Sequence, residues 1–222
     1  MMRSFSPRKD ILPAGQGRLW DELRPAKELG FVLYGGTAIA LRFGHRQSVD
    51  FDFFTERPLD KDEIRRVLPF TGSPGVVVLQ DQPDTYVLLT ASEQVKVSLF
   101  GGLKFGRVGE PEISDDGVVQ VASLDDLMAL KLKVILDRVE AKDYRDIAAM
   151  VSAKVSVERG LSGATALFGP LFPAAEALKA LVHFKGGDLD TLSSADKKIL
   201  IEAVSSVRTL PSVFIASRQL SA

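Results

Sequence analysis

Two short segments of this 222-residue sequence combine residue types suited to phosphate and metal chemistry. One is Gly35-Gly36-Thr37, and the other is the pair Asp50 and Asp52. Glycines let a phosphate approach the backbone closely, and N–H groups at the start of a helix point towards an anion. Carboxylate oxygens are ligands that Mg²⁺ prefers. Phosphate positioning together with a carboxylate-held cation is what phosphoryl transfer requires.

The elements expected around these segments form a strand, a tight turn, a short helix and a second strand. Phe31–Tyr34 is an apolar run typical of a short buried strand, and Thr37 is predicted to cap the helix that follows. Gly44 is predicted to end that helix. Val49–Phe54 alternates apolar and acidic residues with the period of a strand, so both aspartates should leave one face roughly 7 Å apart.

Each segment taken alone also has an ordinary structural interpretation. Gly-Gly-Thr is typical of a plain strand-to-helix turn, and Asp-x-Asp is tolerated on a solvent-facing edge strand. Two carboxylates this close repel each other unless a metal or basic groups neutralise them. The order of the segments along the chain favours a phosphate and metal site.

The rest of the sequence predicts an α+β fold: a mixed sheet flanked by helices, with a helical C-terminal region. Further strands are predicted at Val76–Leu79, Thr85–Thr90, Val95–Phe100 and Val118–Val121, and helices at Arg18–Leu29, Asp60–Leu68, Leu127–Leu136 after a Ser123 cap, Asp143–Met150, Ala174–Phe184 and Ala195–Val207. We expect two domains, a sheet-bearing core at 1–121 and a helical region at 122–222 that completes the site.

Composition limits the chemistry that is available. Lys and Arg total 28 against 29 Asp and Glu, so the net charge of -1 supplies no general attraction to nucleic acid or anionic lipid. The absence of cysteine excludes disulfides, thiolate zinc sites and cysteine nucleophiles, and two histidines cannot form a multi-histidine centre. Any catalysis must rely on carboxylates, lysines and backbone amides.

The sequence gives no indication of a membrane partner. No apolar run approaches the roughly 20 residues that span a bilayer, and the first seven residues lack the hydrophobic core of a signal peptide. We therefore expect a cytoplasmic protein.

Two regions of the sequence resemble a known family. These are Leu33–Leu41 with Ser48–Phe54, and the later group Leu130-Lys131, Arg138, Lys142-Asp143 and Asp146. Together they are similar to nucleotidyltransferases of the AbiEii/AbiGii toxin family, within the DNA polymerase β-like superfamily. The resemblance is sharp over 31–54 and 123–150 and thin beyond Ala153. It implies metal-dependent transfer of a nucleotide from a nucleoside triphosphate to an acceptor, which in some members is RNA.

The resemblance also implies a biological setting and residue roles. The setting is the toxin-like component of a toxin-antitoxin or phage-defence module, with a cognate antitoxin as partner. The implied roles are triphosphate binding by Gly35, Gly36 and Thr37, coordination of Mg²⁺ or Mn²⁺ by Asp50 and Asp52, and catalysis by these aspartates with Lys131 and Asp143. Arg138 would also bind the nucleotide.

Lys131 and Arg138 lie seven residues apart, so both can project to one side of a helix. A solvated basic stripe on an amphipathic helix is the alternative. Asp143 and Asp146 either help to complete the site or pair with the neighbouring Lys142 and Arg145, and the sequence leaves these interpretations open.

One position departs from the superfamily pattern. Polymerase β-like enzymes usually carry a third carboxylate on a later strand, where it serves as base and metal ligand. The corresponding strand here, Val95–Phe100, has Ser98 at that place. Either Glu93 or Asp143 substitutes, or the attacking hydroxyl is activated differently, or catalysis is weakened. A nucleotide-binding or interaction module with weakened catalysis is therefore the alternative function.

The basic residues Arg42, His45 and Arg46 lie close to the proposed site in sequence. They could guide an incoming phosphate or an RNA end. A solvated helix end would have the same composition.

Overall fold

The computed structural model describes residues 3–222, which form two compact units. The sheet unit comprises the described residues up to Gly106 together with 110–122 and 217–222. The helical unit comprises 107–109 and 123–216. Every strand within residues 3–222 belongs to the sheet unit.

The sheet unit is built on a mixed eight-stranded sheet, counted over residues 3–222. Its strands are β1 (Ser4–Phe5), β2 (Val32–Tyr34), β3 (Asp50–Phe54), β4 (Val77–Gln82), β5 (Thr85–Leu89), β6 (Lys96–Phe100), β7 (Glu112–Ser114) and β8 (Gln120–Val121). Their order in space is β1-β7-β8-β2-β3-β6-β5-β4. The pairs β4–β5 and β5–β6 are antiparallel and form a meander, whereas β3 and β6 run parallel. The predicted mixed sheet is confirmed.

Strands β2 and β3 are neighbours near the middle of the sheet, and they differ in burial. All three residues of β2 are buried, which suits an uninterrupted apolar run. In β3, Phe51 and Phe53 are buried while Asp50 and Asp52 keep intermediate exposure. The predicted alternation is confirmed, and both aspartates lie on one face.

Helices α1 (Ala14–Leu19), α2 (Gly35–Phe43) and α3 (Lys61–Val67) complete the sheet unit. The single helix predicted over Arg18–Leu29 is wrong: α1 ends at Leu19 and a 3₁₀ helix covers Trp20–Leu29. Pro25 lies inside that segment, and proline removes a helical N–H and clashes with the preceding turn.

The start of α2 differs from the prediction by three residues. The helix begins at Gly35 with Tyr34 as its N-cap, so the predicted capping role of Thr37 is wrong. Thr37 lies in the first turn, where its hydroxyl donates a hydrogen bond to the carbonyl of Asp50. The predicted end is confirmed, because Gly44 follows the helix in the left-handed conformation at φ 62°.

The helical unit contains α4 (Leu124–Asp137), α5 (Ala141–Ser152), α6 (Val157–Phe168), α7 (Ala174–Val182) and α8 (Ser194–Ser206). Ser123 caps α4 as predicted, since its hydroxyl accepts a hydrogen bond from the N–H of Asp126 at 3.1 Å. Helix α4 packs against α5, α6 and α7.

Helix α6 was not predicted from the sequence. Gly160 and Gly163 lie within it, and glycine lowers helix propensity by about 1 kcal/mol. The packing against α4 explains the first of them. A Cβ at Gly160 would overlap the side chain of Met128. The contact between the two helices therefore requires glycine here.

No single helix within residues 3–222 is long and apolar enough to cross a membrane. The segments Val157–Leu171 and Ala174–Val182 meet those criteria only when joined, and they are bent by 120°.

Candidate functional site

Asp52 of β3 lies against the first residue of α2. Gly35 has φ +73°, a backbone conformation that side chains other than glycine rarely adopt. A Cβ at this position would stand 2.6 Å from Oδ2 of Asp52. Glycine is thus required by both conformation and space, and its presence brings a carboxylate next to the helix N-terminus.

Gly36 is closely covered by a cation and a hydroxyl. The guanidinium of Arg46 would overlap a Cβ at Gly36, and Oγ of Ser48 would be 3.2 Å from it. The first turn of α2 contains no acidic residue. Backbone N–H groups, the positive end of the helix and a nearby guanidinium together favour an anion.

Strand β6 adds two residues to the face that carries the aspartates. The parallel register pairs Asp50 with Lys96 and Asp52 with Ser98. Paired residues of adjacent strands project to the same face, so Ser98 points as predicted. Nζ of Lys96 is 3.8 Å from Oδ2 of Asp50. Sequence reasoning missed Lys96, although its two-residue spacing from Ser98 placed it on the same face.

Carboxylates other than the two on β3 are scarce at this face. Glu93, one suggested substitute for the third carboxylate, accepts hydrogen bonds from the guanidinium of Arg18. Across residues 3–222 there is no group of three acidic or histidine side chains arranged to hold a metal ion. The residues present fit a cation held by Asp50 and Asp52 and completed by phosphate oxygens and water, which is a common arrangement for Mg²⁺.

Arg42 has neither of the roles suggested from the sequence. Its side chain is buried, pairs with the carboxylate of Glu112 and donates to the carbonyl of Ala122 at 2.9 Å. Its guanidinium carbon also lies 4.4 Å from the ring centroid of Phe5. Burial lowers the pKa of Arg42 despite the paired carboxylate. Arg42 therefore holds elements of the sheet unit together, and only Arg46 of the basic cluster is shown beside the glycines.

The later group of predicted site residues forms a buried ionic cluster in the helical unit. Nζ of Lys131 lies 2.6 Å from Oδ1 of Asp143 and 2.7 Å from Oδ2 of Asp146. Nε of Arg138 donates to Oδ2 of Asp143 at 2.9 Å. Both side chains contact Asp143, although Arg138 follows the end of α4 in an extended conformation and does not lie on the helix. Lys131 is only 6% exposed. The solvated-stripe interpretation is wrong for this lysine.

The suggested pairing of Asp143 and Asp146 with Lys142 and Arg145 is also wrong. Lys142 pairs instead with Glu140, and Arg145 donates to Thr191. Burial raises the pKa of Asp143, but the hydrogen bond from Arg138 and the charge of Lys131 outweigh it. The pKa of Asp143 is consequently below its ordinary value, so this carboxylate is ionised within the cluster.

Comparison with solved structures first defines the class of fold. An antigenic nucleotidyltransferase-like protein from Paracoccidioides brasiliensis is similar at a TM-score of 0.50, covering 86% of this chain and 94% of that one. The two sequences are 18% identical, so the likeness shows the fold alone. The sheet and helices described above thus form a nucleotidyltransferase-like α+β fold.

Comparison with family models then gives the family. Residues 18–211 match the family described as "Nucleotidyl transferase AbiEii toxin, Type IV TA system". The match covers most of the chain, which therefore belongs to this family, as the resemblance implied. A curated relative, the uncharacterized protein aq_aa25 of Aquifex aeolicus (strain VF5), is 34% identical over 119 residues, or 53% of this chain. That match spans about 55% of the relative's length.

Proposed function

We propose that this protein transfers a nucleotide from a nucleoside triphosphate to an RNA acceptor, with Mg²⁺ or Mn²⁺ bound at Asp50 and Asp52. The observation that supports this most strongly is the contact of the Asp52 carboxylate with Gly35 at the start of α2. It brings a metal-binding group next to a phosphate-binding helix end.

The geometry of the sheet unit supports the proposed residue roles. Backbone N–H groups of Gly35, Gly36 and Thr37 would bind triphosphate oxygens, while the Thr37 hydroxyl ties α2 to β3 through the carbonyl of Asp50. Asp50 and Asp52 would hold the cation, which when bound neutralises charge that develops on the transferred phosphoryl group.

The buried cluster of the helical unit belongs to the same proposal through the family. Of its two cations, Lys131 is bonded to the buried carboxylates, and Arg138 would neutralise phosphate charge while Asp143 fixes its position. Arg138 is the more accessible of the two, with 46% of its side chain exposed. Its guanidinium can therefore bind a phosphate while one edge stays bonded to Asp143.

The family description supports a toxin-like role within a type IV toxin-antitoxin system. We propose a cognate antitoxin as partner and the cytoplasm as location, where nucleoside triphosphates and RNA are available. With a net charge of -1, contact with RNA would depend on local basic groups and would weaken as salt increases.

Incubation with each α-labelled ribonucleotide, Mg²⁺ and total tRNA, followed by gel electrophoresis, tests the transfer. We expect label in tRNA with the wild-type protein and none with the double variant Asp50→Asn, Asp52→Asn. Equal labelling by both proteins would contradict the assignment of the site.

A nucleotide-binding module with weakened catalysis is the second candidate, and Ser98 favours it. Ser98 is paired with Asp52 where a third carboxylate would lie, and serine supplies neither a base nor a strong metal ligand. For such a module we expect metal-dependent binding of a triphosphate without transfer of label to any RNA. Transfer at an appreciable rate would rule it out.

A further inference from the structure

Lys96 lies on the proposed catalytic face, and its position is fixed by the sheet. The register of β3 and β6 sets it beside Asp50, two pairs along the strands from Asp52 and Ser98. Nζ of Lys96 and Oδ2 of Asp50 are 3.8 Å apart, and both side chains are more than a third exposed, at 41% and 35% respectively. An ion pair this exposed contributes little to stability, so Lys96 can exchange its contact with Asp50 for a phosphate oxygen at small cost.

The same face lacks what a second divalent cation would need. Two-metal sites hold their ions about 4 Å apart and stabilise both the attacking and the leaving oxygen. Here the carboxylates near β3 are Asp50 and Asp52, and the residue paired with Asp52 is the neutral Ser98. A second cation would lack a third carboxylate and would be repelled by the ammonium of Lys96.

We infer that Lys96 is the fixed cation of a one-metal site, where its ammonium takes the electrostatic role of a second divalent ion. In this arrangement Asp50 and Asp52 bind one Mg²⁺ or Mn²⁺, and Lys96 binds a triphosphate oxygen beside it. The inference rests on the proposed function and specifies how that site neutralises its substrate. Lys96 is thus a triphosphate-binding residue of this site.

Counting bound Mn²⁺ by electron paramagnetic resonance tests this inference without relying on turnover. The probe is a non-hydrolysable α,β-methylene analogue of a ribonucleoside triphosphate. Its base is that of the ribonucleotide which, with Mn²⁺, raises the melting temperature of the wild-type protein most. We expect one Mn²⁺ per bound nucleotide in the wild type. For Lys96→Ala we expect affinity for the analogue to fall roughly ten- to a hundredfold, the loss of one charge-assisted hydrogen bond.

Two variants serve as controls for that loss. Lys96→Arg keeps a cation on the same strand position and should retain most of the affinity. Lys9→Ala removes the lysine of another exposed pair in the sheet unit, Lys9 with Asp116 at 3.1 Å, and should leave affinity unchanged.

The outcomes separate this inference from the function on which it rests. Two Mn²⁺ per nucleotide in the wild type, or full affinity in Lys96→Ala, would overturn the role of Lys96 and leave the metal-dependent site intact. Absence of Mn²⁺-dependent nucleotide binding, with all four ribonucleotides, would instead overturn the proposed function.

Discussion

The two aspartate pairs of this protein look alike in sequence and differ in structure. Asp50 and Asp52 lie on one face of β3 and have intermediate exposure. The ammonium of Lys96 is 3.8 Å from the carboxylate of Asp50. Asp143 and Asp146 lie on α5, are fully buried, and bind the Lys131 ammonium at 2.6 and 2.7 Å. The first pair is partly exposed and is proposed to bind a metal, whereas the second is buried and paired with an ammonium of the protein.

The difference follows from the cost of burying charge. A buried carboxylate without a partner is strongly destabilising, so the helical cluster must be paired in order to fold. A partly exposed carboxylate keeps much of its hydration and can exchange water or a loosely held cation for a metal. The two pairs should therefore respond in opposite ways to mutation: one through stability and the other through binding.

The largest expected effect is on the helical cluster. Lys131→Met should lower the free energy of unfolding by about 3–5 kcal/mol, because it leaves two buried carboxylates with too little positive charge. Lys133→Met is the matched control on the same helix. Its exposed pair with Asp137 should contribute no more than about 0.5 kcal/mol. Urea denaturation measures the free energy of unfolding of both variants. Equal losses of stability would contradict the view that the buried cluster is needed for folding.

The next effect concerns binding at the strand pair. Asp50→Asn with Asp52→Asn should weaken metal-dependent triphosphate binding at least about 100-fold, or roughly 2.7 kcal/mol, because it removes both carboxylates proposed to bind the metal. Titration calorimetry measures the binding. The exposed residues Asp21 and Asp62 provide a control double variant with the same change in charge. Binding by the first variant at the wild-type level would show that the metal lies elsewhere.

A smaller effect is expected from acid. The pKa of Asp143 is lowered in the folded protein, so its contribution to stability is complete above the ordinary aspartate pKa of about 3.9 and is lost as pH falls through the lowered value. Asp126 of the same unit acts in the opposite direction, since burial raises its pKa. Arg138→Met removes the hydrogen bond that lowers the pKa of Asp143, so we expect the loss of stability in acid to begin at a higher pH. Urea denaturation followed by circular dichroism at a series of pH values measures this. An unchanged dependence of stability on pH would indicate that Arg138 does not lower the pKa of Asp143.

Much of the strand site could be predicted because its signals are local. A two-residue period puts Asp50 and Asp52 on one face, and the same period on β6 correctly oriented Ser98. Gly35 adopts a positive φ where a strand turns into a helix. The start of α2 differs from the prediction because the hydroxyl of Thr37 donates to the carbonyl of Asp50 on β3 and does not cap the helix.

The helical cluster could not be predicted to the same extent because its signals are not local. Lys131 has the spacing of a solvated helix face, and only the packing of α4 against α5 shows that this face is buried. Gly160 lowered the helical signal of α6 for a reason that lies in another helix, at Met128. Partners that belong to different helices leave no regular spacing in the sequence.

The last and smallest effect is expected at Ser98, where an introduced carboxylate would make the strand site more like a complete polymerase β-like site. Ser98 is 2% exposed and paired with Asp52, so Ser98→Asp adds a buried charge beside an existing one. Without ligand the melting temperature should fall, because like charges repel and burial disfavours ionisation. Mg²⁺ with a triphosphate should restore it, since binding to the folded state alone is stabilising.

A positioned base contributes about 10²- to 10⁴-fold to a reaction rate. Because Ser98→Asp introduces an aspartate without supporting residues, it should recover only a small part of this. We expect labelling of tRNA to become about tenfold faster. Ser98→Asn is the matched control, because it has nearly the same shape as the aspartate without the charge. It should show no gain in rate and only the rise in melting temperature that Mg²⁺ and a triphosphate give the wild type. If Ser98→Asp regains stability with Mg²⁺ and a triphosphate but transfers no more label than the wild type, the strand pair binds nucleotide without supporting transfer. The binding module with weakened catalysis would then be the better description, and the contrast between the two aspartate pairs would be one between ligand binding and folding.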